Sequence, residues 1–294
     1  MEKTLIVITG PTGVGKTQVA IEVAQRLQCH IISADSRQIY RDIPIATAAP
    51  TARQLALVPH HLVGFKALNE SYNAWQFEQD VMALLPSLWQ ESDYAVLCGG
   101  SMMYVDAVCN GIDDMPSVPP EVRTAVDAQL VTQGLASLLQ ELERLDPAYF
   151  ATVDRRNVHR VKHAVEMCRA TGKPFSSMRT GQRKERPFKV VKVGLTLERP
   201  LLFHRINSRV DAMMQAGLEE EARRTYPLRT LNSLNTVGLK EMYAVFDGTM
   251  DMPTAIERIK KNTRVYAKKQ LTWFRRDAQL LWMQPHECLE RLPL

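Results

Sequence analysis

Residues 8–20 read ITGPTGVGKTQVA: an apolar β-branched run, a glycine-rich turn and the start of a helical repeat in immediate succession. The middle of it, GPTGVGKT at 10–17, fits the phosphate-cradling pattern G-x-x-x-x-G-K-[ST] at every position. In such a loop successive backbone N–H groups point inward at anionic oxygens, helped by the N-terminus of the helix that follows. Gly10, Gly13 and Gly15 allow the tight curvature, with Pro11, Thr12 and Val14 between them. Lys16 supplies a cation, and the Thr17 hydroxyl is the usual magnesium ligand of the pattern.

Working outward, residues 5–9 read as a strand, 16–27 as a helix, 30–34 as a second strand, 74–89 as a helix and 94–98 (YAVLC) as a third strand. Strand–helix alternation predicts a parallel sheet with helices on both faces, the core of a P-loop NTPase-like α/β fold. Ligands in such sheets sit beyond the carboxyl ends of the strands. The third strand runs into Gly99-Gly100, where an ATPase often places a metal-binding aspartate. That raises the question of which phosphorylated molecule the loop holds. From the proline cluster MPSVPP at 115–120 onward the pattern changes, and residues 121–179 read as helices without a convincing strand. Strand character returns at 188–197, two helical segments follow, and a short last strand is expected at 279–283. The expected organisation is an α/β core made of 1–115 and 187–294, interrupted by a helical insertion at 116–186.

No apolar run approaches the ~18 residues of a membrane span. Five widely spaced cysteines with no C-x-x-C pair argue against a disulfide framework or a zinc knuckle and fit a reducing cytosol. The charge is unevenly distributed. Residues 1–150 carry 9 Lys+Arg against 17 Asp+Glu, a balance of −8; the other 28 basic and 15 acidic residues give +13 over 151–294. One phosphorylated small molecule needs only a few local cations, whereas a polyanion is met along its length, so the asymmetry favours a nucleic-acid partner.

Three further places carry chemistry. SADSRQIYR at 33–41 ends the second strand with a carboxylate, Asp35, which either caps a following turn or acts as a general base facing the phosphate site. Beside it, the Gln38 carboxamide could pair with an adenine edge. Residues 154–192 hold twelve Lys+Arg against three acidic residues, and TAIERIKKNTRVYAKKQLTWFRRD at 254–277 sets Ile256, Ile259, Ala267, Leu271 and Phe274 at helical spacing with its cations largely off that stripe. Tyr266 and Trp273 could stack on unpaired bases or pack against the core. The pairs His60-His61 and His159…His163 lack the carboxylate of an H-E-x-x-H site, which makes a zinc site a poor reading.

Taken in order, GPTGVGKT, SADSRQIYR, HHLVGF, GGSMMY at 99–104, DRRNVHRVKHAVEMCRATGKP at 154–174, RVDAMMQAGLEEE at 209–221 and ERIKKNTRVYAKKQLTWFRRD at 257–277 resemble the tRNA dimethylallyltransferase (tRNA isopentenyltransferase) family over nearly the whole chain. The resemblance implies transfer of a dimethylallyl group from dimethylallyl diphosphate to N6 of the adenosine just 3′ of the anticodon, assisted by Mg2+. The loop would then grip a prenyl diphosphate, and an aspartate on the third strand would not be required. By the same resemblance Asp35 is the base, with Lys16, Thr17-bound magnesium and, as a second cation, Arg223 on the leaving diphosphate. It further implies tRNA contacts from Asp35, Ser36, Arg37, Gln38, Ser101 and Arg123. Others would come from His159, Arg160, Val161, Lys162 and His163, and from Asn235, Thr236, Val237, Gly238, Leu239 and Lys240. A last group is Lys268, Lys269, Gln270, Leu271, Thr272, Trp273, Phe274 and Arg275. Without the resemblance, Ser101 is a polar turn residue and Arg123 a solvated residue at a helix start. The expected partners are the anticodon stem-loop of tRNA and dimethylallyl diphosphate, with no membrane, and the chain is expected to act as a cytoplasmic monomer.

The chain departs from the family pattern in three places. G-T-A-K-P becomes Ala46-Thr47-Ala48-Ala49-Pro50, G-G-T-G-L-Y becomes Gly99-Gly100-Ser101-Met102-Met103-Tyr104, and G-Y-K-E becomes Gly238-Leu239-Lys240-Glu241. Two other activities share the loop: an adenylate isopentenyltransferase acting on free AMP or ADP, and a small-molecule kinase in which Asp35 positions an acceptor hydroxyl. A non-catalytic RNA-binding module is a third reading. The basic second half argues against the first two, since a mononucleotide or small acceptor would leave it idle.

Overall fold

The run TLIVIT is buried at all six positions in the computed structural model, which describes residues 2–116 and 118–292. A strand hidden on both faces belongs inside a parallel sheet. Among the described residues that sheet comprises β1 (Thr4–Thr9), β2 (Ile31–Ser33), β3 (His60–His61), β4 (Tyr94–Cys98), β5 (Lys189–Leu195) and β6 (Leu281–Met283), in the spatial order β3-β2-β4-β1-β5-β6. Every pairing is parallel. Alternation along β1 and β4 divides the core in two. Ile6, Ile8, Val96 and Cys98 face one apolar layer; Leu5, Val7, Ala95 and Leu97 face the other.

α1 (Lys16–Leu27) covers the first layer with Val19, Ala20, Val23 and Ala24. α2 (Ala52–Leu57) buries nothing and lies in the β2–β3 connection. α3 (Ala74–Glu91) and α4 (Met102–Asn110) cover the second layer through Phe77, Val81, Leu85, Val105 and Val108.

The chain divides into two compact units, Met1–Asn110 with Glu185–Leu294, and Gly111–Lys184. The boundaries fall a few residues from the proline cluster for a local reason. Asp113 accepts hydrogen bonds from the backbone N–H groups of Thr180 and Gly181, and Lys184 pairs with Asp114 at 3.0 Å, so residues 111–115 belong with the second unit. Among the described residues that unit comprises α5 (Pro120–Leu145), broken by a kink at Gly134 (φ 76°), α6 (Pro147–Thr152), α7 (Val158–Thr171) and α8 (Phe175–Met178) around Val126, Leu138, Leu142, Val161 and Val165. Buried Asp146 ties it together, accepting from Tyr149 N at 2.9 Å and Ser176 N at 2.6 Å.

In the first unit, four helices stand between β5 and β6 where the sequence pattern suggested two: α9 (Arg199–Gln215), α10 (Leu218–Thr225), α11 (Leu239–Phe246) and α12 (Met252–Phe274). Gly217, in the left-handed region at φ 99°, separates α9 from α10, and a turn-rich stretch follows at 226–238. α13 (Cys288–Arg291) returns Cys288 to the first layer. The strand at 60–61, absent from the sequence reading, adds to the edge of β2. All five cysteines are buried and unpaired. Among the described residues no helix is long and apolar enough to cross a membrane.

Candidate active site

β1 delivers the glycine loop to the carboxyl edge of the sheet. Gly10 has no room for a side chain, since a Cβ would lie 2.6 Å from the Leu195 carbonyl oxygen of β5. Gly15, at φ 106°, opens α1 with no side-chain cap and no acidic residue in its first turn. The helix N-terminus is therefore left bare, as an anion-binding end must be. Lys16 lies back across its own loop, donating to the carbonyls of Gly10 at 3.1 Å and Pro11 at 3.0 Å. Burial pushes its ammonium down to about 8, offset in part by Cys98 and Asp35 nearby.

Asp35 follows β2 at the same edge. Its Oδ1 accepts from the backbone N–H groups of Arg37 at 2.9 Å and Gln38 at 3.3 Å, so it does cap a turn. Its other oxygen meets no hydrogen-bond donor among the described residues. The turn is braced from two sides. Ser36 N donates to buried Ser101 Oγ at 2.7 Å, and Arg37 reaches the carbonyls of Asn232 at 2.9 Å and Ser233 at 3.2 Å. Ser101 and Arg37 thus hold the carboxylate in place.

Gln38 is engaged inside the protein. Nε2 donates to the carbonyls of Thr47 and Ala48 at 3.2 and 3.0 Å, while Oε1 accepts from Ser33 Oγ at 3.2 Å. Both Nε2 protons are therefore taken, and the paired donor–acceptor contact with an adenine edge is closed unless the 47–48 segment moves. That segment is itself anchored by buried Glu221 of α10, whose carboxylate takes the N–H of Ile45 at 2.9 Å and of Ala46 at 2.7 Å. Burial holds the Glu221 carboxyl above its usual range. Ala46 and Leu239, two of the departures from the family pattern, are both buried in the cluster that contains Ile39 and Met242.

Two cavities meet at these residues. One, of about 310 Å3, is lined by Lys16, Thr17, Gly13 and Gly15 of the loop; the other, of about 320 Å3, by Arg37, Met213, Asn235, Val237, Ile259 and Tyr266. Thr12, Asp35, Thr47, Ala48 and Arg209 line both.

Arg209 of α9, which sequence reasoning passed over, is the second cation of the site. Its Nη2 donates to Thr12 Oγ1 at 2.6 Å, and its buried Nε has no hydrogen-bond partner among the described residues. Desolvation lowers its affinity for the proton, with Asp35 acting the other way. Arg223 is placed elsewhere: it pairs with Glu219 at 2.8 Å, one turn away on exposed helix, and stacks on Phe246. A charged group sharing a helix face with Leu202, Ile206 and Val210 was the available signal for Arg209.

The remaining candidates separate by exposure. In the second unit Arg123, His159, Arg160 and His163 are exposed, Lys162 pairs with Asp127, and Val161 is in the core. In the first unit Asn235, Lys240, Lys268, Lys269, Thr272 and Arg275 are exposed, whereas Gly238, Leu239, Gln270 and Phe274 are buried and Thr236, Val237 and Leu271 are half-buried. Trp273 donates its indole N–H to Asp106 at 2.9 Å and packs on the second layer, so it is core-facing; Tyr266 is 40% exposed at the second cavity.

The IPP transferase family model matches residues 38–277. The chain is 55% identical to the "tRNA dimethylallyltransferase 2" of Parabacteroides distasonis over 97% of its length and 95% of that protein's. It is 52% identical to the "tRNA dimethylallyltransferase 1" of Phocaeicola vulgatus over 99% of its length and 97% of that protein's. Among solved structures, it is similar to the tRNA isopentenylpyrophosphate transferase of Bacillus halodurans, with 35% identity and a TM-score of 0.69, covering 97% of this chain and 90% of that one. A eukaryotic dimethylallyltransferase described as acting on tRNA gives a TM-score of 0.81 at 26% identity, covering 99% of this chain and 76% of that one. The match to the family model over most of the chain, together with these relatives, shows that the chain belongs to the IPP transferase family.

Proposed function

We propose that the protein transfers a dimethylallyl group from dimethylallyl diphosphate to N6 of the adenosine 3′-adjacent to the anticodon of tRNA, releasing diphosphate. The observation that carries this reading is the shared wall of the two cavities, with Asp35 in both. The diphosphate takes the loop side, against the bare end of α1, Lys16 and the unpartnered Nε of Arg209. The adenine enters from the other side, so donor carbon and acceptor nitrogen meet beside Asp35.

The exocyclic amine is a poor nucleophile because its lone pair is conjugated with the ring. As the bond from N6 to the allylic carbon forms, the carbon–oxygen bond to diphosphate breaks and its electron pair leaves with the oxygen. The amine proton passes to the Asp35 carboxylate. Charge that builds on the departing oxygen is met by Lys16 and Arg209, fixed before the reaction begins. Met213, Val237 and Ile259 give the second cavity apolar walls, which keep water from the allylic carbon.

Magnesium fits the hydroxyl oxygen of Thr17 at the loop. No group of three His, Cys, Asp or Glu stands ready to hold a metal among the described residues, so the ion would draw most of its ligands from diphosphate and water, as magnesium ordinarily does. When bound it neutralises charge on the leaving group.

Taking the base out of the anticodon-loop stack costs a few kcal/mol, which contacts elsewhere must offset. Arg123, His159, Arg160 and His163 on the helical unit, and Asn235, Lys240, Lys268, Lys269, Thr272 and Arg275 on the core, are exposed and suited to that task. Incubation with labelled dimethylallyl diphosphate and either unmodified tRNA or AMP tests the assignment. Label is expected in tRNA. Label only in AMP would defeat it, and ATP consumption with a small acceptor would favour the kinase.

A further inference from the structure

The apolar stripe of α12 has two polar members. Its buried positions are Ala255, Ile259, Thr263, Ala267, Gln270 and Phe274. Thr263 satisfies its hydroxyl within the helix, on the Ile259 carbonyl at 2.7 Å. Gln270, only 2% exposed, instead reaches out of the helix with both ends of its carboxamide. Oε1 accepts from Thr12 N at 2.8 Å and Nε2 donates to the Gly100 carbonyl at 2.8 Å.

A buried carboxamide is costly unless its hydrogen bonds are made, and here both go to loops. Thr12 lies in the loop after β1, Gly100 in the loop after β4, and those strands are neighbours in the sheet. One side chain therefore spans the two loops that frame the diphosphate cavity. The fit is close: a Cβ on Gly100 would stand 2.4 Å from Gln270 Nε2. Thr12 matters to the cations as well, because its hydroxyl holds Arg209 and its neighbour Pro11 holds Lys16.

We propose that Gln270 is a positioning residue for the diphosphate loop, although it sits in a stretch whose exposed members suit RNA contact. Its carboxamide fixes the Thr12 backbone against the Gly100 loop, and through Thr12 it sets where Arg209 meets the leaving group. The proposal rests on the loop being the dimethylallyl diphosphate site. Being enclosed, Gln270 cannot reach RNA without abandoning Thr12 and Gly100.

The test compares wild type with Gln270→Ala, Gln270→Glu, Gly100→Ala and the double variant Gln270→Ala/Gly100→Ala. Glu at 270 keeps the acceptor for Thr12 but sets an oxygen against the Gly100 carbonyl, and serves should the alanine variant fold poorly. KM for dimethylallyl diphosphate at saturating tRNA and the Kd for tRNA are measured for each. Both Gln270 variants should raise that KM on the order of tenfold, the usual consequence of orphaning buried hydrogen-bond partners, while tRNA Kd stays within about twofold. Gly100→Ala should do the same by displacing the carboxamide, and the double variant should be no worse than Gln270→Ala alone. Weakened tRNA binding with an unchanged KM would make Gln270 an RNA contact, and fully additive Gly100 and Gln270 effects would break the proposed link. Either result overturns the proposal. A wild-type protein unable to transfer would instead defeat the donor reading itself, and titrations with inorganic diphosphate on the same variants would then judge the loop.

Discussion

Arg209 donates from Nη2 to the Thr12 hydroxyl at 2.6 Å, which fixes a guanidinium from α9 against the glycine loop. The buried Nε beside it has nothing to bond to among the described residues. A guanidinium N–H buried without an acceptor is costly, and a diphosphate oxygen supplies one.

Arg209→Ala is therefore expected to raise KM for dimethylallyl diphosphate by ~10–100-fold, the range of a lost hydrogen bond to a charged group. Arg223→Ala, removing an exposed one-turn ion pair, should change it less than twofold. Steady-state kinetics on the two variants checks the contrast; equal effects would put Arg223 back at the site.

Lys16 should make diphosphate binding depend on pH. Its ammonium is pushed down to about 8 in the free protein, chiefly by burial. A bound diphosphate favours the charged form and raises that value, so binding takes up a proton where the free lysine has lost it. Affinity should be flat below about pH 7 and fall by up to about tenfold per pH unit above 8. Calorimetry in buffers of differing ionisation enthalpy would register the uptake, and a pH-independent affinity up to 9.5 would remove Lys16 from the contact.

Gly99→Ala is expected to destabilise the fold rather than alter chemistry alone. Its Cβ would lie 2.1 Å from the Ala34 carbonyl oxygen, a backbone atom that cannot swing aside. Overpacking of this kind costs ~1–3 kcal/mol, lowering Tm on the order of 5 °C. A thermal melt superimposable on wild type would show that the β2 and β4 ends yield more easily than their geometry implies.

Lys269, exposed on α12, should act through phosphate. Lys269→Ala is expected to weaken tRNA binding and reduce the slope of log Kd against log salt by about one contact. An unchanged slope would place RNA elsewhere.

The glycine loop was legible in sequence because its chemistry is local: strand, turn and helix follow one another in a single segment. The sheet followed from the alternation around it, although β3, two residues long, offered no pattern to read. Arg209 and Gln270 were hidden for a common reason. Half-buried Arg209 flanks the buried stripe of α9 and Gln270 lies on that of α12, and the role of each is visible only once the stripe is seen against the loop it meets. Gln38 shows the converse. Its residue type suited an adenine edge, but both protons of its carboxamide are taken by Thr47 and Ala48 and its oxygen accepts from Ser33, which no local pattern discloses. Exposure likewise separated Lys268 and Lys269 from Phe274 within one stretch of the family pattern.

The most direct measurement is the single-turnover transfer rate of Asp35→Asn, taken together with its tRNA affinity. Asparagine keeps an oxygen for the N–H groups of Arg37 and Gln38, and so preserves the turn, but cannot take the amine proton. The rate should fall by ~10²–10⁴-fold, the ordinary worth of a positioned general base, with tRNA Kd within a few-fold of wild type. A transfer rate equal to wild type would show that the proton leaves by another route and that the two cavities do not meet at a base.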